Sequence, residues 1–105
     1  MVVTFEETYL RELYEKGKTS DKKHRYQPQI IKKYTRFVDL MIELPNVMEL
    51  NRYGGLRYEH LHGNKEGLSS VRVNDQYRIE FREIPMGEKT IAEVVNITDL
   101  SNHYS

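Results

Sequence analysis

Two arginines, Arg72 and Arg78, flank Asn74-Asp75-Gln76 in the stretch VRVNDQYRIEF at residues 71–81. Val71 and Val73 before the turn, with Tyr77, Ile79 and Phe81 after it, fall on one face of period two. Arg72, Arg78, Glu80 and Arg82 fall on the other. A guanidinium engages two phosphate oxygens at once, so arginine on both strands of one hairpin reads as an anion site. The alternative is a solvated sheet face with a cross-strand ion pair. Upstream, His60 and His62 would share a face in a regular strand, which raises zinc. A zinc site wants three or four supported ligands, and besides carboxylates only the distant His24 and His103 remain to join, so neither a metal nor a cofactor is expected. Lys65 lies in a glycine-flanked turn, GNKEG, where it is either a backbone contact for a nucleic acid or a solvated lysine.

The chain that must position these groups has 105 residues, zero formal net charge and no cysteine. That length supports one domain, 1–105, with a modest core and no linker. Without cysteine the fold cannot rest on disulfides, which fits a reducing compartment. There is no basic-then-apolar leader at Met1 and no apolar run long enough to cross a bilayer, so a soluble cytoplasmic protein without membrane contact is expected. Charge is unevenly spread. Lys16, Lys18, Lys22, Lys23, Arg25, Lys32, Lys33 and Arg36 face only Asp21 between residues 16 and 36, enough for one basic surface on a neutral chain.

Thr4-Phe5-Glu6-Glu7 has the form of a capping box, and Leu10, Leu13 and Tyr14 follow at helical spacing until Gly17, which predicts a first helix over residues 5–16. Lys18 to Gln27 is polar and aperiodic, an exposed loop. From Pro28, a good first helical residue, Ile30, Ile31, Tyr34, Phe37, Val38 and Met41 trace one apolar stripe that ends before Leu44-Pro45. Leu56 and Leu61 differ by an odd number, so a bulge or irregular turn near Glu59 and His60 is needed to bury both. Two hairpin turns then join the remaining strands, the last holding Ile91, Val94, Val95 and Ile97 and ending near Leu100. Helices first and strands after predict an α+β domain, a helix pair on a small, mainly antiparallel sheet whose open face carries the arginines.

The stretch YEHLHGNKEGLSSVRVNDQYRIEF, with a final strand and a terminal His-Tyr, resembles the RelE/ParE superfamily of bacterial type II toxins, and most of all the HigB-like, or plasmid maintenance killer, toxins. The resemblance spans nearly the whole chain, and the GNKEG-to-YRIEF core is its most specific part. It implies the RelE-like toxin fold, an endoribonuclease that cuts mRNA in the ribosome, and a cognate antitoxin protein as partner. Residue by residue, it implies Glu59, Arg78, His103 and Tyr104 as the catalytic set. His62 stands where a lysine is common. HigB-like relatives typically end in Asp-Tyr-His, whereas here Asp99 is followed by Leu-Ser-Asn before His103, which makes Asp99 a competing site residue.

Metal-free RNA cleavage needs a base for the 2′-hydroxyl proton, cations for the crowded phosphorane and an acid for the leaving 5′-oxygen. Glu59 is then the base, Arg78 the phosphate clamp and His103 the acid, since imidazole titrates near neutrality. Tyr104 stacks on a base or steadies the phosphate, while His62, Lys65, Arg72 and Asp99 bind substrate. The Lys16–Arg36 stretch is either a solvated surface or a non-specific grip on ribosomal RNA. Two other functions stay open on the same residues: a ParE-like protein that binds and inhibits DNA gyrase, and a small protein-binding module.

Overall fold

In the computed structural model, described for residues 1–102, a five-stranded sheet is covered on one face by two helices. The chain begins with a strand, β1 (Val2–Phe5), which pairs in parallel with the final strand, β5 (Val94–Asn102), in a register that sets Val2 against Val94 and Phe5 against Ile97. This corrects the expected capping box. The Thr4 hydroxyl donates to Asn96 Oδ1 at 2.8 Å across the ladder, and helix α1 starts only at Thr8, with Glu7 as a cap that makes no side-chain bond. Four ladder positions filled by β-branched and aromatic residues outweigh the one or two local bonds a capping box offers.

Helix α1 (Thr8–Lys16) buries Tyr9, Leu10 and Leu13. It stops at Gly17, whose φ of 72° is left-handed and whose N–H reaches Leu13 O. Gly17→Ala would force a Cβ into that conformation and is expected to cost about 1 kcal/mol. The check is a lower denaturant midpoint with an unchanged m-value. Helix α2 (Pro28–Glu43) runs as its stripe predicts, burying Ile30, Tyr34, Val38 and Met41. The buried Tyr34 hydroxyl donates to Leu10 O at 2.8 Å and so ties α2 to α1; burial pushes its phenol well above the usual range.

Leu56 and Leu61 are both buried. The irregularity this requires falls at Arg57, which has a left-handed φ of 47° after two short 3-10 turns, rather than within β2 (Glu59–His60). Strands β3 (Ser69–Arg72) and β4 (Tyr77–Ile84) form the expected hairpin. Its turn uses Asn74 as a side-chain acceptor for the N–H groups of Gln76 and Tyr77, at 2.9 and 2.7 Å. The sheet order is β1-β5-β4-β3-β2, antiparallel except for β1 with β5. Val71, Val73, Ile79, Phe81, Val95, Ile97 and Leu100 enter the core beneath the helices.

The final strand departs from expectation in two ways. Ile91 is exposed and precedes it, and the strand runs past Leu100 to Asn102. Opposite β4 it carries a bulge: Glu80 pairs with Asp99 and Phe81 with Ile97, so Thr98 is extra. That one residue lets Ile97 and Leu100, an odd number apart, both reach the core. Among the described residues no helix is long and apolar enough to cross a membrane.

Candidate active site

The hairpin register sets Arg72 directly opposite Arg78. Like charges across a ladder repel, so the cross-strand partner of each arginine is no ion partner. Their carboxylates come from elsewhere: Arg72 Nη2 bonds Asp75 Oδ1 in the turn, and Arg78 Nε donates to Glu80 Oε2 at 2.9 Å along its own strand. A third cation arrives from the 3-10 turn Gly63–Lys65, where Lys65 Nζ donates to both Glu80 oxygens at 2.8 and 2.9 Å. Lys65, Arg72 and Arg78 thus gather around this hairpin, with Glu80 shared by Lys65 and Arg78 and with Asp75 on Arg72. The supposedly open face is thus partly closed by the Lys65 turn. Glu80, expected with the solvent-facing residues, is 1 % exposed.

Glu59, the expected base, is exposed on β2 and paired with Ser70, which in turn is paired with Glu80. Directly paired residues share a sheet face, so Glu59 lies on the arginine side, two strands or roughly 10 Å from Glu80. It is the accessible carboxylate of that row; Glu80 is the occluded one. His60 and His62 do not converge. His60 Nε2 lies 3.3 Å from Glu83 Oε2, an oxygen that also accepts from Tyr58 and Ser69 hydroxyls at 2.5 Å. Burial, and then Glu83, push the Tyr58 phenol up, so it stays a donor. His62 is exposed, with Nδ1 3.7 Å from Glu66 Oε2.

Asp99 is held differently from the arginine cluster. Its Oδ1 accepts from the Tyr9 hydroxyl at 2.9 Å, and the Tyr9 ring stacks on His24, with centroids 3.6 Å apart and planes 7° off parallel. His24 Nδ1 is 3.0 Å from Asp21 Oδ2. Burial first, and Asp99 second, raise the Tyr9 phenol far above its usual range, so it donates at any working pH. Asp99 also lines a cavity of about 340 Å³ with Lys23, Arg25, Tyr26 and Tyr77. This places the loop between the helices beside the end of β5. Sequence pattern alone connects neither Tyr9 nor His24 to this site, and for Glu80 it offers only parity with Arg78. His103 and Tyr104 follow Asn102 and lie outside the described residues.

Residues 3–98 match the sequence model of a family described as the RelE-like toxin of the type II toxin-antitoxin system HigB. The chain is 35 % identical over 83 residues to Toxin HigB-1 of Vibrio cholerae serotype O1, covering 78 % of this chain and 83 % of that one. Its fold resembles a YoeB/ParE toxin from Agrobacterium tumefaciens, with a TM-score of 0.55 at 16 % identity over 99 % of this chain and 100 % of that one. It also resembles a heterotetrameric YoeB-YefM toxin-antitoxin complex from Staphylococcus aureus, with a TM-score of 0.53 at 18 % identity over 99 % of this chain and 98 % of that one. On the breadth of the family match and the identity to a toxin, this chain belongs to the HigB-like family of RelE-like toxins of type II toxin-antitoxin systems, a family of endoribonucleases.

Proposed function

We propose that the protein arrests translation by cutting mRNA within the ribosome, through attack of a ribose 2′-hydroxyl on its own phosphate. The observation that carries this reading is the grouping of Lys65, Arg72 and Arg78 around one hairpin, with Arg78 held through Nε alone. Arg78 uses Nε on Glu80 and keeps its terminal nitrogens for the phosphate; Arg72 and Lys65 flank it. Glu59 takes the 2′-hydroxyl proton as the exposed carboxylate of that face. His103 returns a proton to the 5′-oxygen, Tyr104 stacks on the neighbouring base, and His62 touches the backbone. The site of action is the cytoplasm, where ribosomes and mRNA are. A co-encoded antitoxin covers the cationic face, in keeping with the toxin-antitoxin complex of the structural relative.

Induced expression with mapping of mRNA 5′ ends tests this directly. The expected result is growth arrest with new ends inside translated reading frames, relieved by the co-encoded antitoxin. Arrest with gyrase-dependent DNA breaks and intact mRNA would replace it with the ParE-like reading. No arrest at all would leave a binding module.

A further inference from the structure

Glu80 is an expensive residue where it stands. It is in the middle of β4, 1 % exposed and bracketed by the fully buried Ile79 and Phe81. A carboxylate taken out of water is tolerable only when fully paired, and well-packed apolar replacements of such groups are often neutral or stabilising. Stability alone therefore gives no reason for a glutamate here.

Its contacts give one. Oε2 accepts from Arg78 Nε and from Lys65 Nζ, each at 2.9 Å, and Oε1 takes Lys65 Nζ again at 2.8 Å. Two cations from different parts of the chain, one on a strand and one on a 3-10 turn, thus lie against a single oxygen. Without the carboxylate they would repel each other, and both would be repelled by Arg72 opposite. Arg78 is fixed through Nε alone, so its planar fork keeps both terminal nitrogens free of any bond among the described residues, and its side chain retains 18 % exposure. Glu80 itself, 1 % exposed and bonded at both oxygens, has no access to act on a ribose hydroxyl.

We propose that Glu80 is a positioning residue, a buried carboxylate that holds Lys65 and Arg78 side by side so that their outward ends receive one RNA phosphate. This rests on the nuclease reading above. Its effect falls on the transition state, where the phosphate gains charge and the placement of the cations matters most. A misplacement on the order of 1 Å is enough to cost up to about a hundredfold in rate.

The test compares Glu80→Leu, Glu80→Gln and Glu80→Asp with the full-length wild type, reading thermal stability together with kcat and KM on ribosome-bound mRNA. Glu80→Leu, which strips Lys65 and Arg78 of their shared carboxylate, is expected to melt below the wild-type temperature and, where folded at the assay temperature, to lose roughly tenfold to a hundredfold in kcat with KM changed far less. Glu80→Gln, nearly isosteric, should show the same split if the leucine does not fold. Glu80→Asp should recover part of kcat by restoring the charge. A folded Glu80→Leu or Glu80→Gln with wild-type kcat overturns the proposal, as does a loss confined to KM. Failure of the underlying reading looks different: the wild type itself, with Glu80 intact, would leave mRNA uncut.

Discussion

Arg78→Ala is expected to slow single-turnover mRNA cleavage by about a hundredfold to a thousandfold, the roughly 2.7–4 kcal/mol that a lost transition-state donor typically removes. Placement on the polar side of a hairpin would by itself make this truncation nearly free for the fold. The structure says otherwise, because Arg78 is one of two cations that satisfy the buried Glu80. Lys65 keeps its two contacts in the variant, so the expected destabilisation is about 1–3 kcal/mol, the usual cost of a buried group deprived of a partner. The double variant Arg78→Ala, Glu80→Leu separates the two effects. It should regain the lost stability and none of the lost cleavage, read by thermal melts and by single-turnover rates at saturating enzyme. A folded Arg78→Ala protein that cuts at the wild-type rate removes Arg78 from the mechanism.

The second large effect is expected at the C-terminal side. His103→Gln should reduce single-turnover cleavage by roughly a hundredfold or more if the imidazole protonates the leaving oxygen, and deletion of His103 to Ser105 should abolish toxicity while leaving residues 1–102 folded. Asp99→Asn is the control. The amide oxygen can still accept from the Tyr9 hydroxyl, so the bond at 2.9 Å that anchors this part of β5 is preserved while the carboxylate charge is lost. A folded Asp99→Asn that is inactive, beside an active His103→Gln, transfers the decisive role to Asp99 and its support by Tyr9 and His24.

Elements whose order is local were legible in the sequence. The β3–β4 hairpin follows from alternation plus Asn74, and α2 follows from a stripe that begins at Pro28 and ends before Pro45. β1 was not legible, because Thr4 to Glu7 satisfies a local helix-start pattern and the strand's partner, Val94–Ile97, lies at the other end of the sequence. The β5 bulge was hidden for a related reason: an extra residue at Thr98 shows only once β4 fixes the register. At the site, parity placed Arg72, Arg78 and Glu80 together, but a glutamate on a polar face reads as solvated. Its burial is created by Lys65 folding over it from a separate turn, a tertiary fact. Asp99 could be named from the tail pattern, whereas its link to Tyr9 and the stacked His24 depends on how the loop between the helices folds back on β5.

The position of β5 also sets a timetable. It is a strand inside the sheet, with β1 on one side and β4 on the other, yet residues 94–102 are synthesised after every other described element. A growing chain can make the arginine hairpin early, since its contacts are local, but closing the ladder from Val2 to Val94 means closing a loop of almost the entire polypeptide. Until β5 has been added and has cleared the ribosome, Arg78 lacks its neighbour Ser101 and the strand bearing Asp99 is absent. If the protein acts as proposed, the nascent chain is in this way unarmed until its final strand has been added.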